Sequence, residues 1–138
     1  MRNAQPERIG FLFGAGASKG AGSVEPYPPP LGDELYGRLK GEYPHTWGSV
    51  SPELDALFPG EFEEGMAAAW YDPGDATRAL IIDLAVYFSR FSPSQSETTL
   101  YDLLLMNLRS WGRAEGCLFG TLNYDCLLEH AVARILGL

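Results

Sequence analysis

An α/β fold built on a partial parallel sheet, with a large helical insertion between its first two strands, is what the sequence predicts from three observations. Two short apolar runs, Ile9–Phe13 (I-G-F-L-F) and Cys117–Thr121 (C-L-F-G-T), lie more than a hundred positions apart. Each breaks into a polar or glycine-rich turn, as buried strands of a parallel sheet do. Between them run long apolar stripes at helical spacing. Strand, turn and helix in that order, occurring twice, is a Rossmann-like arrangement, and it places both turns at the carboxyl ends of strands, where open α/β sheets bind ligands.

The elements follow in chain order. The first run stops at Gly14 and enters G-A-G-A-S-K-G, which reads as a loop nearly free of side chains. Ser23–Pro30 (S-V-E-P-Y-P-P-P) reads as a loop, because proline fixes φ and removes an amide donor. Leu31–Lys40 suits a short helix, and 47–71 suits further short helices interrupted at Pro52, Pro59 and Gly60. Over 76–91, Leu80, Leu84, Phe88 and Phe91 share a helical face that Ile81 and Ala85 widen. After the breaker S-P-S-Q-S, Leu100, Leu104, Leu108 and Trp111 mark a helix over 99–111. The last helix, 125–136, carries Leu128, Val132 and Ile135 on one face and Gly137 at its end. The insertion thus spans 31–112 within one domain, 1–138.

The 138 residues carry 18 acidic against 10 basic side chains, a net charge of -8. That disfavours general attraction to nucleic acid or an anionic membrane. Two cysteines, Cys117 and Cys126, are too few for a disulfide framework or a four-cysteine zinc site and fit a reducing cytosol. Arg2 and Arg8 before an apolar run resemble a signal peptide, but Glu7 and the glycines at 10, 14 and 16 break such a helix. A cytoplasmic protein with no metal is expected.

The glycine turn matches neither standard phosphate motif. In G-x-x-x-x-G-K-[ST] the lysine follows the glycine, whereas Lys19 precedes Gly20; G-x-G-x-x-G fails by one residue, since Gly14 and Gly16 are followed by Gly20. Its physics survives the mismatch: glycine lets the backbone approach a ligand, exposed amides attract an anion, and Ser18 offers a hydroxyl. A tight turn without ligand is the other reading. For Asn123 and Asp125 the other reading is helix capping, contributing about 1 kcal/mol. Cys126 stands at a helix start, where the dipole lowers a thiol pKa; a small buried apolar role is its alternative.

Taken together, G-A-G-A-S (14–18) and T-L-N-Y-D-x-L-x-E (121–129) resemble the sirtuin superfamily, whose motifs are usually G-A-G-x-S and T-Q-N-x-D. With Tyr124 inside the second motif, Glu129 after it and no four-cysteine zinc module, the chain is most similar to the sirtuin-like NAD-hydrolase domains of bacterial anti-phage defence. The resemblance rests on roughly twenty motif residues, and it implies that the backbone of Gly14, Ala15, Gly16, Ala17 and Ser18 holds the pyrophosphate of NAD with the Ser18 hydroxyl helping. Thr121 opens the second motif at the cofactor; Asn123 lies beside the nicotinamide ribose and Asp125 against the nicotinamide carboxamide. These two carry the catalysis, and Pro30 belongs to a loop over the nicotinamide pocket.

In that family a catalytic histidine follows the second motif. The chain ends at Leu138, so the expectation is the amino-terminal part of a larger domain, inactive alone. A completing C-terminal segment or a second copy would pair the sheet. His45 and His130 are the only histidines, and both read as ordinary surface residues. Two other functions stay open: a non-catalytic module binding NAD or ADP-ribose, and an interaction domain assembled through its helices.

Overall fold

The computed structural model describes residues 8–71 and 76–138; Arg2 and Glu7, which entered the signal-peptide reading, lie outside them. In chain order the elements are β1 (Ile9–Phe13), α1 (Ala15–Lys19), β2 (Val24–Glu25), α2 (Gly32–Glu42), α3 (Pro52–Leu57), α4 (Phe62–Tyr71), α5 (Ala76–Ser89), β3 (Ser92–Pro93), α6 (Leu100–Ser110), β4 (Cys117–Thr121) and α7 (Leu127–Leu136). The class is mixed α/β. Two compact units divide the chain: one joins the segment up to Pro29 with Phe91–Leu138, the other is Pro30–Arg90. The expected insertion, 31–112, is therefore split, and α6 belongs with the sheet.

In the sheet-bearing unit β1 and β4 pair in parallel, in register from Ile9 with Cys117 to Phe13 with Thr121. Both strands have the bounds their apolar runs suggest. Phe11 stacks on Phe13 and on Phe119, with ring centroids 6.3 and 5.6 Å apart. On the other face Leu12 and Leu118 are 71% and 75% exposed. The expectation of buried strands is corrected: neither β1 nor β4 contains a buried residue. The pleat turns alternate side chains to opposite faces, and among the described residues only these two strands form this sheet.

A second correction concerns the proline-rich stretch. Val24 and Glu25 pair antiparallel with Pro93 and Ser92, and the Ser94 amide extends the ribbon by donating to the Ser23 carbonyl at 2.7 Å. A two-residue ribbon accommodates Pro93 because few of its amides need a ladder partner. Among the described residues the two long strands are accordingly the first and last of four, with β2 and β3 between them.

Helix α6 is rotated from its expected face. Its buried residues are Tyr101, Asp102, Leu105 and Leu108, while Leu100 and Trp111 are 60% and 67% exposed. Polar contacts set this rotation. Thr99 and Asp102 form a capping box, and Arg134 of α7 donates through Nε (3.2 Å) and Nη2 to the Asp102 carboxylate and through Nη1 to the Ser94 carbonyl. The pair closes α7 on α6 over a core of Leu105, Leu127 and Ala131, each at most 1% exposed. Helix α7 starts two residues later than expected and ends at Gly137, whose φ of 74° is the left-handed conformation glycine tolerates.

The helical unit packs around four aromatic rings, Tyr36, Trp47, Phe58 and Phe62, with Trp47 and Phe58 fully buried. Gly65 lets α4 approach them, since a Cβ there would stand 2.4 Å from the Phe58 ring. Helix α5 buries Leu80, Leu84, Tyr87 and Phe88 and stops at Ser89; the expected Ala85 is exposed. Phe91, assigned to that helix in the sequence, lies instead in the sheet-bearing unit, edge-on to Tyr27. No helix among the described residues is long and apolar enough to cross a membrane.

Candidate functional site

The parallel register brings the carboxyl ends of β1 and β4 side by side, with Phe13 opposite Thr121. The Leu122 amide donates to the Phe13 carbonyl at 2.9 Å. The two motif turns therefore leave the sheet as neighbours. Beyond β1, Gly14 is extended and the chain winds at once into α1, so the expected glycine loop is a single short helix. Its consequence is positional: the turn carries Ser18 into the unit's interior, where it is fully buried.

Three residues distant in sequence meet at the Ser18 hydroxyl. Oγ lies 3.0 Å from Asp125 Oδ1, to which it donates, and 2.7 Å from Asn123 Nδ2, from which it accepts. The Tyr101 hydroxyl lies 3.1 Å away. A serine hydroxyl has one proton and two lone pairs. With the proton on the carboxylate and one lone pair on the amide, the remaining position is an acceptor, and Tyr101 donates into it. The turn itself is held by short-range bonds: the Asn123 amide donates to Thr121 Oγ1 at 3.0 Å and the Leu127 amide to Asp125 Oδ1 at 3.1 Å. Asp125, which precedes the Cys126 N-cap, thus ties the first amide of α7 and the Ser18 hydroxyl to one carboxylate oxygen.

This geometry leaves one group without a partner. With Nδ2 committed to Ser18, Asn123 Oδ1 is buried and accepts no hydrogen bond. A buried acceptor left in that state costs about 1–3 kcal/mol, so the site is arranged for a donor. The surroundings are acidic. Burial pushes the Tyr101 hydroxyl above its ordinary value, Asp125 and Glu129 push the same way, and the bonds to Ser18 and Asn123 oppose them; the phenol stays a neutral donor at neutral pH. Cys126 is exposed, and partial burial followed by Glu129 and Asp125 raises its thiol pKa. Both sequence readings of Cys126 are corrected: the residue is exposed, and its thiol is not activated, because partial burial and then the Glu129 and Asp125 carboxylates disfavour the thiolate.

The expected residues distribute as follows. Gly14, Ala15 and Gly16 are exposed and Ala17 half-buried. A Cβ on Gly14 or Gly16 would meet nothing within 4 Å, so space for a ligand lies open along that backbone. The Ala17 amide is already bonded to the Gly14 carbonyl at 2.9 Å. The Ser18 hydroxyl, expected to help hold phosphate, has all three of its bonding positions occupied by protein. Ser18, Thr121, Asn123 and Asp125 are brought together; Pro30 is buried at the start of the helical unit. His130 is exposed on α7 beside a groove of about 720 Å³ shared with Glu25 and Arg134, and His45 lines a cavity of about 200 Å³ within the helical unit. Among the described residues no three His, Cys, Asp or Glu side chains gather as metal ligands.

Tyr101 is the member that sequence reasoning missed. The T-x-x-D at 99–102 marked the helix start as a capping box, but only packing shows that Tyr101, and not Leu100, is buried. Comparison with known proteins returns no matching family model, no matching curated protein and no matching solved structure.

Proposed function

We propose that the sheet-bearing unit is a sirtuin-like nucleotide site that binds NAD and, given a group to activate water, hydrolyses it to nicotinamide and ADP-ribose, in the anti-phage defence setting that the motif resemblance implies. The observation that carries the reading is Asn123 Oδ1, an unpartnered buried acceptor held at the junction of the two motifs. A ribose hydroxyl is a donor of the required kind. The Asp125 carboxylate, next but one in the same turn, suits the amide protons of a carboxamide. The open backbone at Gly14 and Gly16 suits a pyrophosphate, and no dense positive charge is needed where amides and glycine approach it.

NAD brings its own leaving group, since the nicotinamide is already cationic and needs orientation more than protonation. The chain's part is to orient. Ser18 and Tyr101 hold Asn123 rigid, and a preorganised acceptor near developing positive charge on the ribose is worth more than one that must turn toward it.

A second reading, a sensor that binds NAD or ADP-ribose without turnover, is favoured by a separate observation. Among the described residues the titratable side chains of the cluster are Asp125, committed to Ser18 and Leu127, and Tyr101, whose proton is held firmly. His130 does not join the cluster. Calorimetric titration with NAD and with ADP-ribose, beside an assay of nicotinamide release, separates the two. Binding with release that Asn123→Ala abolishes supports the hydrolase; binding without release supports the sensor. Failure of either nucleotide to bind would refute both.

A further inference from the structure

We propose that Asp125 is a positioning residue of this site: by taking the Ser18 proton it holds the Asn123 amide with Oδ1 turned away from Ser18 as the free acceptor. For its functional meaning the inference rests on the nucleotide-site reading, but the orientation itself follows from a chain of bonds that starts at the backbone. The Leu127 amide, fixed in the first turn of α7, donates to Asp125 Oδ1 at 3.1 Å. A carboxylate oxygen accepts and does not donate, so Ser18 Oγ, 3.0 Å from the same atom, gives it the proton. A hydroxyl has one proton. Toward Asn123, 2.7 Å away, Ser18 therefore offers a lone pair, and Nδ2 is the end of the amide that can meet it.

Tyr101 does not decide the matter. Its hydroxyl lies 3.1 Å from Ser18 Oγ and also bonds Asn123, but a phenol donates or accepts and so fits either amide orientation. Asp125 fits one. Turning the amide over would set Oδ1 against a Ser18 lone pair at the same 2.7 Å with no proton between them. The acceptor presented to the ligand thus selects a group that donates, as a ribose hydroxyl does. This role is separate from a carboxamide contact, because it acts through Asn123 on the ribose and needs no nicotinamide.

The test uses the whole chain and two substitutions. Asp125→Leu keeps the bulk and removes the acceptor; Asp125→Asn restores an oxygen for Ser18 and Leu127 without the charge. A thermal melt confirms folding. In ¹⁵N-labelled protein the Asn123 side-chain amide, assigned by its disappearance in Asn123→Ala, should exchange its protons several-fold faster in Asp125→Leu than in wild type, and Asp125→Asn should bring the rate back. The ligand for calorimetry is ADP-ribose, which carries the second ribose and no carboxamide. Its affinity should fall about five-fold in Asp125→Leu, the equivalent of one neutral hydrogen bond, and recover in Asp125→Asn, while ADP, which lacks that ribose, does not follow. In an Asn123→Ala background Asp125→Leu should cost ADP-ribose nothing further, because the two act in series. Unchanged amide exchange in Asp125→Leu would overturn the proposal, as would equal weakening of ADP-ribose and ADP, additive losses in the double variant, or no recovery in Asp125→Asn. Should Asp125→Leu not fold, Ser18→Ala removes the transmitting hydroxyl and carries the same expectations for exchange and affinity. If wild type binds neither nucleotide, the nucleotide-site reading fails and the exchange rates decide the positioning.

Discussion

Replacing Ser18 with alanine tests how the two motif turns are joined. The substitution removes one fully buried oxygen and three hydrogen bonds at once. At about 1 kcal/mol net for each bond, the loss is about 3 kcal/mol. The Tyr101 hydroxyl and the Asn123 amide keep their bond to each other and Asp125 keeps the Leu127 amide, so the value stays at about 3 kcal/mol. Against a total stability of about 5–15 kcal/mol for a domain, that is a large fraction. Urea denaturation followed by far-ultraviolet circular dichroism measures it, with Tyr101→Phe in parallel. The single lost bond in Tyr101→Phe should cost about 1 kcal/mol, so the two variants must rank in that order. A Ser18→Ala loss below about 1 kcal/mol, or one no larger than that of Tyr101→Phe, would refute the reasoning that Ser18 is the junction.

Gly65→Ala should destabilise the helical unit by about 1–2 kcal/mol despite alanine's better helix propensity, because its Cβ would sit 2.4 Å from a ring packed on three others; a rise in melting temperature would contradict this. Asp55 accepts from Lys40 and from the Tyr36 hydroxyl, which hold its carboxyl below the ordinary value of 3.8. A depressed folded pKa stabilises above the unfolded value and is lost as pH falls through the folded one, so Asp55→Asn should flatten the wild-type loss of stability below about pH 4 in an acid-denaturation series. The open face bearing Leu12 and Leu118 should drive self-association, and light scattering of Leu12→Lys/Leu118→Lys should show a lower mass at equal concentration than wild type.

Features set by neighbouring residues were legible in the sequence. The bounds of β1 and β4 followed from apolar runs stopped by glycine or a polar turn, and α7 from its apolar face and terminal glycine, because a strand or helix needs little beyond its own chain to choose its period. The motifs G-A-G-A-S and T-L-N-Y-D could be seen to follow strands, and a shared cleft could be expected. The tertiary structure alone decided how each face was turned and which side chains met. The stripe of α6 was ambiguous between two faces about 100° apart, and the capping box at Thr99, the Arg134–Asp102 pair and the Tyr101 hydroxyl chose the one with fewer leucines. Burying a polar group requires a partner, and the partners come from α1, the β4 turn and α7, distant in sequence. The same reason moved Ser18 from an anticipated ligand contact to a structural junction: a hydroxyl can serve three neighbours, and only the folded chain shows that all three are protein.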